Sequence, residues 1–396
     1  MSRIEDLIAE LCPNGVELKA LGELGQLVRG NGMPKTDFTY TGVGAIHYGQ
    51  IYTHYGTWAT ETISFVSTET AARLAKVEPG DVIITNTSEN LEDVGKAVAW
   101  LGNAQIVTGG HATILKHSQN PKFIAYWLQT PSFQAQKKKL ATGTKVIDVS
   151  AKQLEKVKVP VPPIAVQQEV VQVLDRYSDL QSALESELAK ELAARRIQYA
   201  YHRDSLLAIG DRGGTAWATL PEIAKNLDST RKPVTKSARK PGAIPYYGAS
   251  GVVDYVSDYI LDGDYLLVSE DGANLLSRST PIAFSISGKT WVNNHAHIFE
   301  FPTYAERRFA EIYLNSIDLT PFITGDTQPK LNQANLNRIP IPVPPVDERE
   351  RIVAVIDRYK AHVDDLSASL SAERVARQKQ YDFYRDRLLT FEETLA

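Results

Sequence analysis

The sequence predicts an α+β chain in which two similar globules are joined by two long helices packed as an antiparallel coiled coil, with internal pseudo-twofold symmetry. Three observations predict it. One stretch is written twice: Pro160-Val161-Pro162-Pro163 returns as Pro342-Val343-Pro344-Pro345, and the displacement of 182 holds without a gap through Leu207 and Leu389. Val157–Leu207 and Ile339–Leu389 share 20 of 51 positions, far too many for chance, and two copies of this length make a duplicated module rather than a solenoid. Each copy carries a heptad-like stripe, and each follows a region of short β-rich runs broken by Gly, Asn and Pro.

In chain order, Ile4, Leu7, Ile8 and Leu11 give a short amphipathic helix ended by Pro13-Asn14-Gly15. Strand-like runs follow at Ala45-Ile46-His47-Tyr48, 62–66, 81–84 and 96–100, and one helix is predicted over 121–136. After the first long segment, Gly210-Asp211-Arg212-Gly213-Gly214 reads as a flexible break, and the globule then begins again. Gly242-Ala243-Ile244-Pro245-Tyr246-Tyr247-Gly248 echoes Gly44-Ala45-Ile46-His47-Tyr48-Gly49, and His295-Ala296-His297-Ile298 echoes His111-Ala112-Thr113-Ile114. A helix over 305–317 stands where 121–136 stood. The expected organisation is a first globule over 1–156, a long helix region over 157–209, a second globule over 210–338 and a second helix region over 339–396.

The long segments are spaced as a coiled-coil seam: Ile352, Ile356, Tyr359, Val363, Leu366, Leu370, and in the first copy Val170, Leu174, Tyr177, Gln181, Leu184, Leu188. A helix of about 42 residues reaches roughly 63 Å, and neither stripe can stay wet over that length. Packing of the two copies on each other satisfies both, antiparallel because a globule lies between them. The prolines before each helix fix a stiff, non-helical entry. Beyond Leu188 and Leu370 the stripe turns polar in both copies: Glu191, Arg195, Gln198, Tyr199 and Arg203 match Glu373, Arg377, Gln380, Tyr381 and Arg385. These residues either close the end of the coiled coil or form two equivalent surfaces that bind two copies of one partner.

The single Cys12 fits a reducing cytoplasm, and no apolar run approaches the length of a membrane span. The net charge of −4 hides separated patches: nine lysines lie between Lys116 and Lys158, and Arg231–Lys240 holds five basic residues and no acidic one. Phosphate-loop and dinucleotide motifs are incomplete, since Ala283 stands where Ser287-Gly288-Lys289-Thr290 needs its first Gly, and Gly42-Val43-Gly44 lacks a third. His295 and His297 alternate on a predicted strand and so cannot share a metal, and no nucleophile, base and orienter form a set.

What remains suits binding: basic loops neutralise phosphates, while Asn, Gln, Arg and Tyr address base edges. The candidates in the first globule are Arg29, Asn31, Lys35, Tyr48, Gln50, Asn86, Asn90, Lys96 and Lys145. In the second they are Arg231, Lys232, Lys236, Arg239, Lys240, Tyr246, Tyr247, Asn274, Arg278, Lys330 and Asn332.

Over essentially its whole length the pattern resembles the specificity subunit of type I restriction-modification enzymes: globule, Pro-Val-Pro-Pro, a long helix ending Gln198-Tyr199 and Arg203-Asp204-Ser205-Leu206-Leu207, then all of it again. Gly325-Asp326-Thr327-Gln328-Pro329-Lys330-Leu331 is similar to that family's junction between target-recognition domain and helix, whereas Gly143-Thr144-Lys145-Val146-Ile147-Asp148-Val149 lacks the Gln. The resemblance implies two target-recognition domains, each reading half of an asymmetric bipartite site in double-stranded DNA, with the helices setting the gap. It implies that two methyltransferase subunits using S-adenosylmethionine and restriction subunits driven by ATP and Mg supply the chemistry, and that this noncatalytic chain binds no cofactor. By position, 85–96 and 269–278 look like the DNA-facing loops. The alternatives are a coiled-coil scaffold that recruits proteins, and an enzyme with an unfamiliar site in a globule.

Overall fold

The computed structural model describes residues 2–209, 215–325 and 327–394. Gly210–Gly214 and Asp326, on which two of the sequence expectations fall, lie outside the described residues. The chain divides into two compact units, Met1–Glu187 with Ser371–Ala396, and Leu188–Leu370. Each unit therefore holds one globule, the start of one long helix and the end of the other. Among the described residues, no helix is long and apolar enough to cross a membrane.

In the first unit, helix α1 (Ser2–Leu11) buries Ile4 and leads to a strand, Leu18–Ala20, that pairs antiparallel with Lys158–Pro160 at the entry to the long helix. A five-stranded sheet in the order 25–29, 112–117, 82–85, 97–100, 58–59 forms the centre of the globule. A second five-stranded sheet, in the order 38–39, 64–66, 43–46, 106–108, 75–77, completes it. Helices α2 (Pro121–Trp127) and α3 (Pro131–Leu140) replace the single helix predicted over 121–136. The break has a local cause: Pro131 lacks an amide hydrogen and drives Thr130 to extended backbone (ψ 156), where its hydroxyl caps the new helix through Phe133 N.

The second globule is built on one six-stranded sheet, in the order 225–226, 296–300, 261–269, 283–292, 241–248, 251–256. Its entry repeats that of the first, with Ala216–Ala218 antiparallel to Ile341–Val343. The long helices are α4 (Ile164–Leu207) and α6 (Val346–Leu388), and α5 (Tyr304–Ser316) takes the place of α2.

The seams bury where each helix leaves its globule. Val166, Val170 and Leu174 join the core of the first unit with Leu388 and Leu389, while Ile352, Val353 and Ile356 join Leu207 and Ile209 in the second. Burial of a whole aliphatic side chain stabilises by roughly 2 kcal/mol, so these turns anchor the helices. Within each unit the helices run antiparallel. Tyr177 stacks on Tyr384 (5.7 Å between centroids) in the first, and Tyr359 stacks on His202 (5.1 Å) in the second. The displacement of 182 converts one pair into the other, 177 to 359 and 202 to 384. The expectation that the whole stripe is sealed is met only in part: Leu184, Leu188, Leu366 and Leu370 are half-buried, and Gln181 meets Gln378 by an amide hydrogen bond of 2.6 Å rather than an apolar contact.

One carboxylate fastens each globule to its helix. Asp175 accepts from Lys122 Nζ (2.7 Å) and from the Tyr126 hydroxyl (2.9 Å), both on α2. Asp357 accepts from the Tyr304 hydroxyl (2.8 Å) and from Arg308 Nε (2.8 Å) on α5. Positions 122 and 304, and 126 and 308, are again 182 apart, with phenol and cation exchanged. Asp175→Asn should weaken the first clamp by about 2 kcal/mol, the usual scale for a part-buried hydrogen bond to a charged group. Hydrogen exchange in α2 should then speed up while α5 is unchanged; equal protection of α2 in both proteins would show that the clamp is not holding the globule.

Candidate nucleic-acid interface

The loops of both globules rest on one backbone scaffold. In the first, Asn86 N donates to His111 O (2.8 Å) and Val149 N donates to Asn86 O (2.9 Å). In the second, Glu270 N donates to His295 O (2.9 Å) and Leu331 N donates to Glu270 O (2.7 Å). The side chains that fill this scaffold differ. Buried Asn86 donates from Nδ2 to Val149 O (2.7 Å) and accepts from the Thr113 hydroxyl (2.9 Å). The second globule uses charge: Arg231 donates to Glu270 (2.5 Å), and buried His297 bonds Asp228 through Nδ1 (2.6 Å) and Leu331 O through Nε2 (3.0 Å). Burial pushes the Asp228 carboxyl up, but the hydrogen bond and charge of His297, with Ile298 N and Arg231, outweigh it and hold the group below the usual carboxylate range.

A hairpin projects from each scaffold. Thr142 and Asp148 exchange backbone hydrogen bonds of 2.9 and 2.8 Å, and Thr324 and Lys330 do the same at 2.8 and 2.7 Å. The first hairpin adds Ile147↔Ser88 and Asp148↔Thr87 pairing, and the second pairs Lys330 with Asp271. Around Thr87 the first globule gathers His111 (Nδ1 to Thr87 Oγ1, 3.0 Å), Tyr52 (hydroxyl to Thr87 O, 2.7 Å) and Tyr48, whose ring lies 4.8 Å from His111.

Several candidates read from the sequence serve the fold. Gln50 caps the helix start at His47 and donates to Ser64 (2.5 Å). Asn90 closes its own turn with Asp93, which Lys96 also pairs (3.0 Å), and Asn31 donates to Arg73 O (2.6 Å). Arg29 reaches Gly110 O (3.4 Å). Tyr246 is buried, its ring under Arg239, which pairs with Asp254 (3.0 Å), and Tyr247 is half-buried against Phe284. Asn274 closes the turn to Thr280, Arg278 adopts left-handed backbone and donates to Ile317 O (2.8 Å), and Asn332 caps the helix turn at 333–336. Lys35, Lys145, Lys232, Lys236 and Lys240 project into solvent, as does Lys330, 4.0 Å from Glu270.

The ten polar helix residues divide in the same way. Glu191, Arg195 and Gln198 form an exposed chain of hydrogen bonds (2.9 and 3.1 Å), and Glu373, Arg377 and Gln380 repeat it (2.8 and 3.0 Å). In the second unit Glu191, Arg195, Gln198 and Tyr199 line a groove of about 490 Å³ with Tyr359 and His362. Tyr199 and Tyr381 turn inward, burial raising both phenols, while Arg203 pairs with Asp204 and the buried Arg385 with Asp382 and Asp386.

A family model for the type I restriction modification DNA specificity domain matches residues 13–194 and 217–373, most of both units. The chain belongs to this family. Members similar to it include a type I restriction enzyme specificity subunit of Haemophilus influenzae, 38% identical over 45% of this chain and 46% of that protein. The chain thus spans about half the length of that relative. The EcoR124I/EcoR124II specificity subunit of Escherichia coli is 28% identical over 68% of this chain and 70% of its own. The fold is shared with a chain from a structure of complex assembly and conformational transition of the type I R-M system, at 14% identity and TM-score 0.72 over 95% of this chain and 98% of that one. It is shared also with the HsdS subunit from Thermoanaerobacter tengcongensis, at 14% identity and TM-score 0.55 over 95% and 97%.

In this specificity-domain chain one buried cation supports the loop at 92–94. Lys137 of α3 donates to Glu92 O (3.0 Å) and Val94 O (2.7 Å), and burial drives its amine down to about 8. The neutral amine keeps two N–H groups, enough for both carbonyls. Between about pH 8 and 10.5 the unfolded chain holds a proton that the folded one has lost, so stability contributed at this site rises with pH. Measured against Lys137→Met by denaturant titration at successive pH values, the wild-type stability should gain up to about 3 kcal/mol across that window; a flat difference would place the proton elsewhere.

Proposed function

We propose that the chain is the noncatalytic DNA-specificity subunit of a type I restriction-modification complex, each globule reading one half of an asymmetric bipartite site. The observation that carries this reading is one recognition scaffold built twice, with the same backbone bonds and different exposed side chains. A single reaction gains nothing from such divergence, whereas two base sequences require it. Lysines 35, 145, 232, 236, 240 and 330, exposed at the loop surfaces, neutralise phosphates. Helices α4 and α6 set the unread gap, and the repeated Glu-Arg-Gln chains at 191–198 and 373–380 receive two methyltransferase subunits, through which restriction subunits join. In this reading S-adenosylmethionine, ATP and Mg belong on the partner subunits. The complex works in the cytoplasm, where its DNA is.

Exchanging residues 16–156 for the corresponding domain of another family member should change one half of the methylated sequence and leave the other half and the gap intact; methylome sequencing reads this, and a change in both halves would overturn modular reading. Binding of the assembled complex to its site should fall by roughly 10³-fold or more between 50 and 200 mM salt, as neutralisation of six or more phosphates demands. Salt-independent binding, or none to any duplex, would favour the scaffold reading instead.

A further inference from the structure

A cleft of about 530 Å³ opens in the second unit where the end of α4 passes α5 and the loop after residue 277. Arg196, Arg203, Arg278, Arg308 and Lys360 line it against a single carboxylate, Glu311. Three of these cations are already answered. Arg308 is held between Asp357 (2.8 Å) and Glu311, which also accepts from the Ser285 hydroxyl (2.5 Å). Arg203 pairs with Asp204 (2.7 Å) and Lys360 with Asp364 (2.5 Å). Among the described residues Arg196 and Arg278 form no ion pair. Arg278 donates to Ile317 O (2.8 Å), and Asp318, which acts on it from a distance, is itself held by Thr320 N (2.9 Å). Arg278 is also the only non-glycine among the described residues with left-handed backbone (φ 51, ψ 29), at a helix end that glycine would fill without strain. Such strain persists where the side chain is needed.

The first unit builds the same corner without the charge. The displacement of 182 turns Arg308 into Tyr126, Lys360 into Ser178, Tyr199 into Tyr381 and Arg196 into Gln378. There the hydroxyls answer one another, Tyr126 and Tyr381 each 3.4 Å from Ser178 Oγ. The joint between helix and globule is thus made as well by neutral groups, and the unpaired arginines of the second unit are not a requirement of folding.

We propose that this cleft is a phosphate-binding site centred on Arg196 and Arg278, present in the second unit and lacking in the first. Two unpaired guanidiniums in one cleft require a ligand with acceptors for both. A carboxylate's two oxygens are used by a single fork, whereas a phosphate offers three, and the Thr280 hydroxyl lines the same cleft. Arginine rather than lysine at both positions suits that bidentate geometry. The phosphate comes either from the backbone of bound DNA or from a free small molecule; the chemistry at the site is the same. Because the charged cleft occurs in one copy, the ligand binds once per chain and distinguishes two units that are otherwise equivalent.

Inorganic pyrophosphate titrated into the full chain should bind at one site, read by calorimetry. Arg196→Gln and Arg278→Gly should each weaken it about tenfold or more, the effect of losing hydrogen bonds between charged groups. Arg196 is exposed, and Arg278→Gly relaxes the strained backbone as it removes the guanidinium, so neither variant should melt below the wild type. No binding by the wild type, two equal sites per chain, or equal affinity in the wild type and the double variant overturns the proposal. Duplex DNA added to the titration separates the sources. Displacement of pyrophosphate by duplex, with the double variant lowering the slope of log K against log salt by about one, assigns the site to a DNA phosphate. Independent binding of the two assigns it to a free phosphate ligand. Pyrophosphate binding by a chain that gives its complex no methylation motif leaves the site standing while the DNA reading fails.

Discussion

Everything that projects from this molecule depends on a carboxylate placed about three turns into each long helix. Asp175 and Asp357 each receive a cation and a phenol from a single helix of the neighbouring globule, at 2.7 to 2.9 Å. Apolar burial is not directional, so Val170 and Leu174 alone would let the globule pivot on its helix. Two hydrogen bonds to one carboxylate fix an angle as well as a distance. Exchange of phenol and cation between the copies leaves that geometry standing, so the pair matters as a unit and its order does not.

Above that fixed joint, the globules divide into a buried frame and a free face. The frame is backbone: amides at 86 and 149, or 270 and 331, bond in the same way whichever side chains surround them. Because backbone groups carry it, Asn86 and Thr113 in one copy can give way to Glu270, Arg231 and His297 in the other without moving the loop. A neutral amide network and a buried charged network reach the same geometry, each satisfying its own polar groups. Variation in what the face presents is thereby separated from the shape that presents it.

Sequence composition suggested that loop Asn, Gln and Arg residues reach outward, and for many of them folding decided otherwise. Asn90, Gln50, Asn274 and Asn332 satisfy backbone groups of their own turns, the commonest use of short amide side chains near Gly and Pro, while Asn86 donates to the distant Val149 carbonyl. Arg231 and Arg239 are held by buried or half-buried acids. Lys35, Lys145, Lys232, Lys236 and Lys240 stay exposed, since a long, strongly hydrated ammonium gains little from local pairing.

By itself the sequence determined the duplication, the two long helices, their antiparallel pairing and the polar chains that follow the seam. These rest on periodicity and on identity between copies, which are local and additive along the chain. It did not determine the split of 121–136 into two helices, where one proline outweighed the apolar pattern, nor how far the seam would seal. Only the tertiary structure decided which polar residues are consumed internally, because that depends on which distant backbone groups burial leaves without water.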